Sequence, residues 1–136
     1  MKLKTFFGIF IIVLFFLDQT IKLFVSAQIK PENSGILFGF IEQPKSFLLI
    51  SNFIILTIIA IFALIYSEKI PFFLLLAGGT SNLIDRIRFG KVIDYFKIGN
   101  FSQFNLADLM IYGGIILILI PIITSSISPK KLKQIL

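Results

Sequence analysis

Two aspartates define the chemistry this chain can attempt. Asp94 lies in VIDYF and Asp108 in FNLAD, with Asp85 a short way before them, so three of the chain's four aspartates, all but Asp18, fall between two apolar segments. Two carboxylates within hydrogen-bond reach cannot both ionise easily, so they share a proton. The ionised partner can take a proton from water, and the protonated one can donate to a carbonyl oxygen and then to a leaving amine. That is peptide hydrolysis by carboxyl groups alone.

The rest of the inventory narrows the field. The sequence has no histidine and no cysteine. This excludes a Ser-His-Asp triad, a Cys-His pair, a disulfide and any metal site of thiolate or imidazole ligands. Two other chemistries survive elimination. Ser81 and Lys91 can form a Ser-Lys pair, although no spacing argues for it. Asp85, Asp94 and Asp108 can offer oxygen ligands to Mg²⁺, although the usual clustered spacing is missing. Asp108 also has a structural reading. Asn105 is an apt N-cap, and an acid three residues later completes a capping box and suits the helix dipole. Asp94 has no such role, because it interrupts an apolar, β-prone run.

The elements that must position these groups belong in lipid. Of 136 residues, 57% are hydrophobic and 15% charged, which leaves too little polar surface for a water-soluble domain. Mean hydropathy is +0.98. Four apolar segments stand out: Thr5–Val25, Phe47–Tyr66, Ile70–Ile84 and Leu106–Thr124. A bilayer core of about 30 Å needs roughly 20 helical residues. Segments one, two and four meet that length, and the third does so if Arg86 and Arg88 snorkel. The expected spans are therefore 5–25, 47–66, 70–86 and 105–124, all helical because lipid offers the backbone no partners. The first segment, following MKLK, also reads as a cleavable secretory signal peptide. Asp18 and Lys22 count against that, because they separate the apolar stretch from the cleavage-like Val25-Ser26-Ala27.

Between the spans, residues 26–46 read as turns around a short strand, Ile36 to Ile41, and residues 67–69 as a minimal turn. Residues 85–105 form a second long loop with the β-prone VIDYFKI. The net charge of +6 resides mostly beside apolar segments, which suits anionic lipid headgroups better than nucleic acid. Six basic residues fall on the side of the termini and seven on the other, so charge alone does not orient the chain.

Other residues within the spans carry a structural and a functional reading each. Asp18 and Lys22, four apart, share a helix face as an ion pair or as functional groups. Gly78-Gly79-Thr80-Ser81-Asn82 reads first as close helix packing through small residues. The alternative is that Gly78 leaves room for a ligand that Asn82 reaches. Asp85 and Arg86 are adjacent and cannot face each other on a helix. Asp85 therefore reads as a structural charge closing a helix end, with Arg86 paired to another carboxylate.

Taken in order, these stretches resemble the lipoprotein signal peptidase (signal peptidase II) family. DQTIK (18–22) is similar to the family's D-Q-x-x-K, and NSGILFG (33–39) to N-x-G-A-A-F. GGTSNLIDRIRFGKVIDYF (78–96) is similar to G-G-x-x-G-N-x-I-D-R-x-x-x-G-x-V-x-D-F, and FNLAD (104–108) to F-N-x-A-D. Ser81 stands in place of a glycine, Ile36 and Leu37 in place of two alanines, and Tyr95 in place of a phenylalanine. The resemblance implies an all-α membrane protein of four transmembrane helices with a small extracytoplasmic β-cradle. It implies an aspartyl endopeptidase of the bacterial cytoplasmic (inner) membrane, with both termini cytoplasmic and the site facing outward. The implied substrate is a prolipoprotein, cut just before a diacylglyceryl-modified cysteine, and the implied inhibitor is globomycin. Carried over, the catalytic pair is Asp94 and Asp108. Asn33, Gly78, Asn82, Arg86 and Asn105 match positions of substrate binding or support, and Asp18, Lys22 and Asp85 match supporting positions. The expectation is a monomer in membrane lipid without cofactor, metal or nucleic acid. A rival reading is a non-enzymatic four-helix transporter or scaffold subunit, with its four aspartates spread along a polar path.

Overall fold

A computed structural model describes residues 3–28, 45–99 and 102–126. Its element order is α1 (Leu3–Gln28), α2 (Lys45–Ile65), α3 (Ile70–Phe89), β1 (Phe96–Ile98), β2 (Ser102–Phe104) and α4 (Leu106–Ser126). The four apolar segments are thus four helices, each within a few residues of its expected bounds. The strand expected at Ile36–Ile41, with Asn33, Ile36 and Leu37, lies outside the described residues.

Among the described residues, three helices are long and apolar enough to cross a membrane: Leu3–Gln28, Ser46–Ile65 and Leu106–Thr124. The 20 residues of α3 reach about 30 Å, but its second half carries Ser81, Asn82, Asp85, Arg86 and Arg88. This helix is the centre of the bundle and packs against α1, α2 and, most extensively, α4. The burial pattern is that of a protein in lipid. Phenylalanines, leucines and isoleucines of α1, α2 and α4 point outward, whereas Asp18, Lys22, Ser81, Asn82, Asp85 and Asn105 are buried. Apolar side chains lose nothing by facing lipid tails, while polar groups must find one another inside.

Close approach of the helices rests on glycine. A Cβ at Gly78 would come within 2.4 Å of the Ala107 carbonyl oxygen of α4, and one at Gly114 within 2.8 Å of the Pro71 carbonyl oxygen of α3. On the other face of α3, a Cβ at Gly79 would meet Leu56 of α2 at 2.6 Å. The Gly78–Gly79 pair therefore serves packing on two sides at once.

The turns are built locally. Between α2 and α3, the Lys69 ammonium donates to the carbonyls of Ala63 and Leu64, orphan acceptors at the end of α2. Gly90 ends α3 in the left-handed conformation (φ 80°), its N–H donating to the Arg86 carbonyl at 3.1 Å. The chain then runs through Asp94 into an antiparallel hairpin with Phe96 opposite Phe104 and Ile98 opposite Ser102. The two phenylalanine rings lie 5.3 Å apart. Because β1 pairs with β2, the residues just before β1 and just after β2 are brought together. Those residues are Asp94, Tyr95 and Asn105.

Candidate active site

The site is organised by the start of α4. The first turn of a helix has N–H groups with no partner inside the helix. Here each finds one. Asn105 is the N-cap: its Oδ1 accepts the Asp108 N–H at 2.9 Å, and Asp108 Oδ2 accepts the Asn105 N–H at 3.1 Å. This is the reciprocal capping box expected from FNLAD. The Leu106 N–H donates to the Tyr95 hydroxyl at 3.0 Å, and the Ala107 N–H to Asp18 Oδ1 at 3.2 Å.

The Asn105 side chain also reaches the other loop aspartate. Its Nδ2 donates to Asp94 Oδ1 at 2.8 Å and to the Ile93 carbonyl at 3.3 Å. Asp94 and Asp108 thus share one neighbour, each bonded to a different nitrogen of Asn105. The second oxygen of Asp108 accepts from Asn82 Nδ2 at 2.8 Å. Both aspartates are partly exposed, while Asn105 is fully buried. Their contacts described above are to neutral amides, which hold a carboxylate in place without fixing its charge. Arg86 supplies positive charge nearby: Asp108, Asp85 and Asp94 all act on it electrostatically. Its guanidinium donates to the Asn82 carbonyl at 3.3 Å and makes no ion pair within 4.0 Å among the described residues.

Behind this pair lies a second cluster with a different logic. Lys22 reaches from α1 to Asp18 at 2.9 Å and to Asp85 at 2.8 Å, with all three side chains almost wholly buried. It also donates to Asn82 Oδ1 at 2.9 Å. The Asp18–Lys22 pair expected from i,i+4 spacing is present. Asp85 does not close the helix end with a local partner; Lys22 and the Ile93 N–H, at 3.2 Å, both bond its Oδ2. Ser81 donates to Asp18 Oδ2 at 2.5 Å and accepts from Gln19 at 2.7 Å and from Lys22 at 3.3 Å. Ser81 thus donates its own proton to Asp18 and receives Lys22 as a donor, which is the geometry of a supporting contact.

Asn82 joins the two clusters. Its Oδ1 accepts from Lys22 and, at 3.2 Å, from Asn105, while its Nδ2 donates to Asp108. The four aspartates therefore belong to one connected polar cluster, not to a path. Among the described residues, no three acidic groups gather as metal ligands. At Gly78, α3 comes against Ala107 and Ile111 of α4. Sequence reasoning did not single out Gln19, the Ile93 backbone or Tyr95 as partners of this cluster. For Tyr95 the available signal was a hydroxyl where the resembling motif has phenylalanine. Burial first, then the hydrogen bond to Asp18 at 2.7 Å, raises its phenol above the ordinary tyrosine range.

Fold and cluster together define a helical membrane protein with a buried polar cluster, whose candidate chemistry is carboxylate-based. The family model of signal peptidase (SPase) II matches residues 10–124. A lipoprotein signal peptidase of Campylobacter jejuni is 34% identical over 133 residues, covering 85% of each chain. One from Dehalococcoides mccartyi is 30% identical over 134 residues, covering 80% of this chain and 83% of its own. A solved bacterial membrane enzyme superposes with a TM-score of 0.76 at 25% identity, covering 92% of this chain and 91% of that one. The chain belongs to the signal peptidase II family and is a membrane peptidase.

Proposed function

We propose that this peptidase removes signal peptides from prolipoproteins, cutting before a diacylglyceryl-modified cysteine, and that Asp94 and Asp108 are its catalytic pair. The observation that carries the reading is their shared hold on Asn105, one on its side-chain amide and one on its backbone N–H. In this mechanism one proton is shared between the two carboxyls. The ionised carboxylate takes a proton from water as the water oxygen bonds to the scissile carbonyl carbon. The protonated carboxyl gives its proton to the carbonyl oxygen. As the C–N bond breaks, the newly protonated carboxyl gives its proton to the cysteine's leaving amine while the other carboxylate takes one from a hydroxyl of the tetrahedral intermediate, which restores the one-proton state.

Asn82 and Asn105 orient the pair, and Arg86 offsets its negative charge. Gly78 keeps α4 close to α3, and Asn33 binds substrate from the first long loop. Asp18, Lys22 and Asp85 support the pair from behind. All four helices cross the membrane, α3 with its arginines at the interface. The termini are cytoplasmic, and the hairpin and aspartates face outward. The substrate's acyl chains lie among the helices while its backbone meets the carboxyls at the lipid boundary. The clustering of all four aspartates favours this reading over a transporter, which requires charges through the membrane depth.

The test is a gel-shift assay of a lipidated prolipoprotein with the purified protein in lipid. Processing by the wild type should be blocked by globomycin and lost in Asp94→Asn and in Asp108→Asn. Processing at the wild-type rate by either folded variant rejects the assignment.

A further inference from the structure

The two hydroxyls that neighbour the site, Ser81 and Tyr95, converge on the same buried carboxylate. Ser81 donates to one oxygen of Asp18 and Tyr95 to the other. Asp18 lies on α1, Ser81 on α3 and Tyr95 in the loop beside Asp94. The fourth element reaches Asp18 as well, because the Ala107 N–H of α4 bonds its Oδ1 at 3.2 Å. The preceding N–H, that of Leu106, ends on the Tyr95 hydroxyl. Two successive N–H groups of the α4 first turn are therefore tied to Asp18, one directly and one through Tyr95. The third residue of that turn is Asp108, and the residue before Tyr95 is Asp94.

We propose that Tyr95 is a positioning residue for the reaction, holding Asp94's strand entry against the α4 first turn through Asp18, with Ser81 as the second hydroxyl of the same clamp. The inference rests on the aspartate-pair reading above. A bare phenyl ring at 95 fills the same space but leaves the Leu106 N–H without its acceptor and Asp18 Oδ1 with one donor fewer. The first turn of α4 is then free to shift relative to Asp94. Positions 81 and 95 are also two of the places where the chain departs from the motifs it otherwise matches, and both departures add a hydroxyl that the structure puts on Asp18. A ring alone at 95, or glycine at 81, offers no such donor.

The experiment is steady-state processing of a lipidated prolipoprotein by the full chain in lipid, for Tyr95→Phe, Ser81→Ala and the double variant. Tyr95→Phe is expected to lower kcat by about 10- to 100-fold, the effect of a sub-ångström to ångström misplacement of reacting groups. KM should change by less than roughly twofold, because binding of the rest of the substrate is untouched. The pH profile of kcat/KM should narrow, since carboxyls held less closely split their proton affinities less. Ser81→Ala should do the same more weakly, as Lys22 still holds Asp18 Oδ2. The double variant should lose less than the product of the single losses, as groups acting as a unit do. A folded Tyr95→Phe with wild-type kcat and pH profile overturns the inference, as does a kcat loss that only tracks the folded fraction. Fully multiplicative losses overturn the shared clamp. Asp94→Asn serves as the control. If it is inactive while Tyr95→Phe is unchanged, this inference alone fails; if it is active, the aspartate-pair reading fails first.

Discussion

Two pairs of aspartates lie side by side in this bundle and are treated in opposite ways. Asp18 and Asp85 are almost fully buried and grip a single ammonium, that of Lys22. Asp94 and Asp108 are partly exposed and are held by the amides of Asn105 and Asn82. A buried ion pair of this kind ties α1 to α3 and leaves its carboxylates occupied with the lysine. Amides orient a carboxyl yet leave a proton free to come and go. The same side chain is thus a girder in one place and, on our reading, an acid or base a few residues away. The donor decides which.

The comparison breaks most visibly by neutralising each pair in turn. Replacing Asp94 or Asp108 by asparagine should lower processing about 10³-fold or more, with stability to thermal unfolding in lipid nearly unchanged for Asp94→Asn and about 1 kcal/mol lower for Asp108→Asn, which gives up one of its two acceptor oxygens. Lys22→Met should do the reverse in kind. It strands two buried carboxylates and should cost about 3–5 kcal/mol, read from denaturant unfolding. If Lys22→Met unfolds like the wild type, the girder reading fails.

Smaller changes sharpen the contrast. Gly78→Ala puts a methyl group into the Ala107 carbonyl and should cost about 1–3 kcal/mol by overpacking, with activity falling because α4 shifts against α3. Asn105→Ala removes the N-cap and the donor to Asp94 together. It should lose about 1 kcal/mol of stability and a disproportionate share of kcat. The smallest effect concerns pH. The Tyr95 phenol is raised in the folded state, so the stability it contributes is fully present below about pH 10, the ordinary tyrosine value, and is lost as pH rises beyond it. Unfolding midpoints of wild type and Tyr95→Phe should therefore converge at high pH.

Much of this was legible before any coordinates. Four apolar stretches of helix length announce four helices, because lipid permits little else. The capping box of FNLAD was readable from two residues three apart. The i,i+4 pairing of Asp18 and Lys22 was equally local. What stayed hidden was nonlocal. Nothing in the order of residues says that Lys22 reaches Asp85 on another helix, since that depends on how α1 and α3 cross. Strand β2 is three residues, SQF, too short for any periodicity to register. The VIDYFKI run is β-prone throughout, yet the strand begins only at Phe96; before it, Ile93, Asp94 and Tyr95 bond to Asp85, Asn105 and Asp18. The short strand expected at Ile36–Ile41 lies outside the described residues.

The account's central claim is that two carboxyls share one proton, and the pH dependence of processing tests it most directly. The rate of cleavage of a lipidated prolipoprotein by the wild-type protein in lipid, measured as kcat/KM across pH, should trace a bell. It should fall on the acid side as both aspartates take up protons and on the alkaline side as both lose them. A rate that climbs out of acid and then stays level to high pH, with no alkaline fall, would contradict the claim.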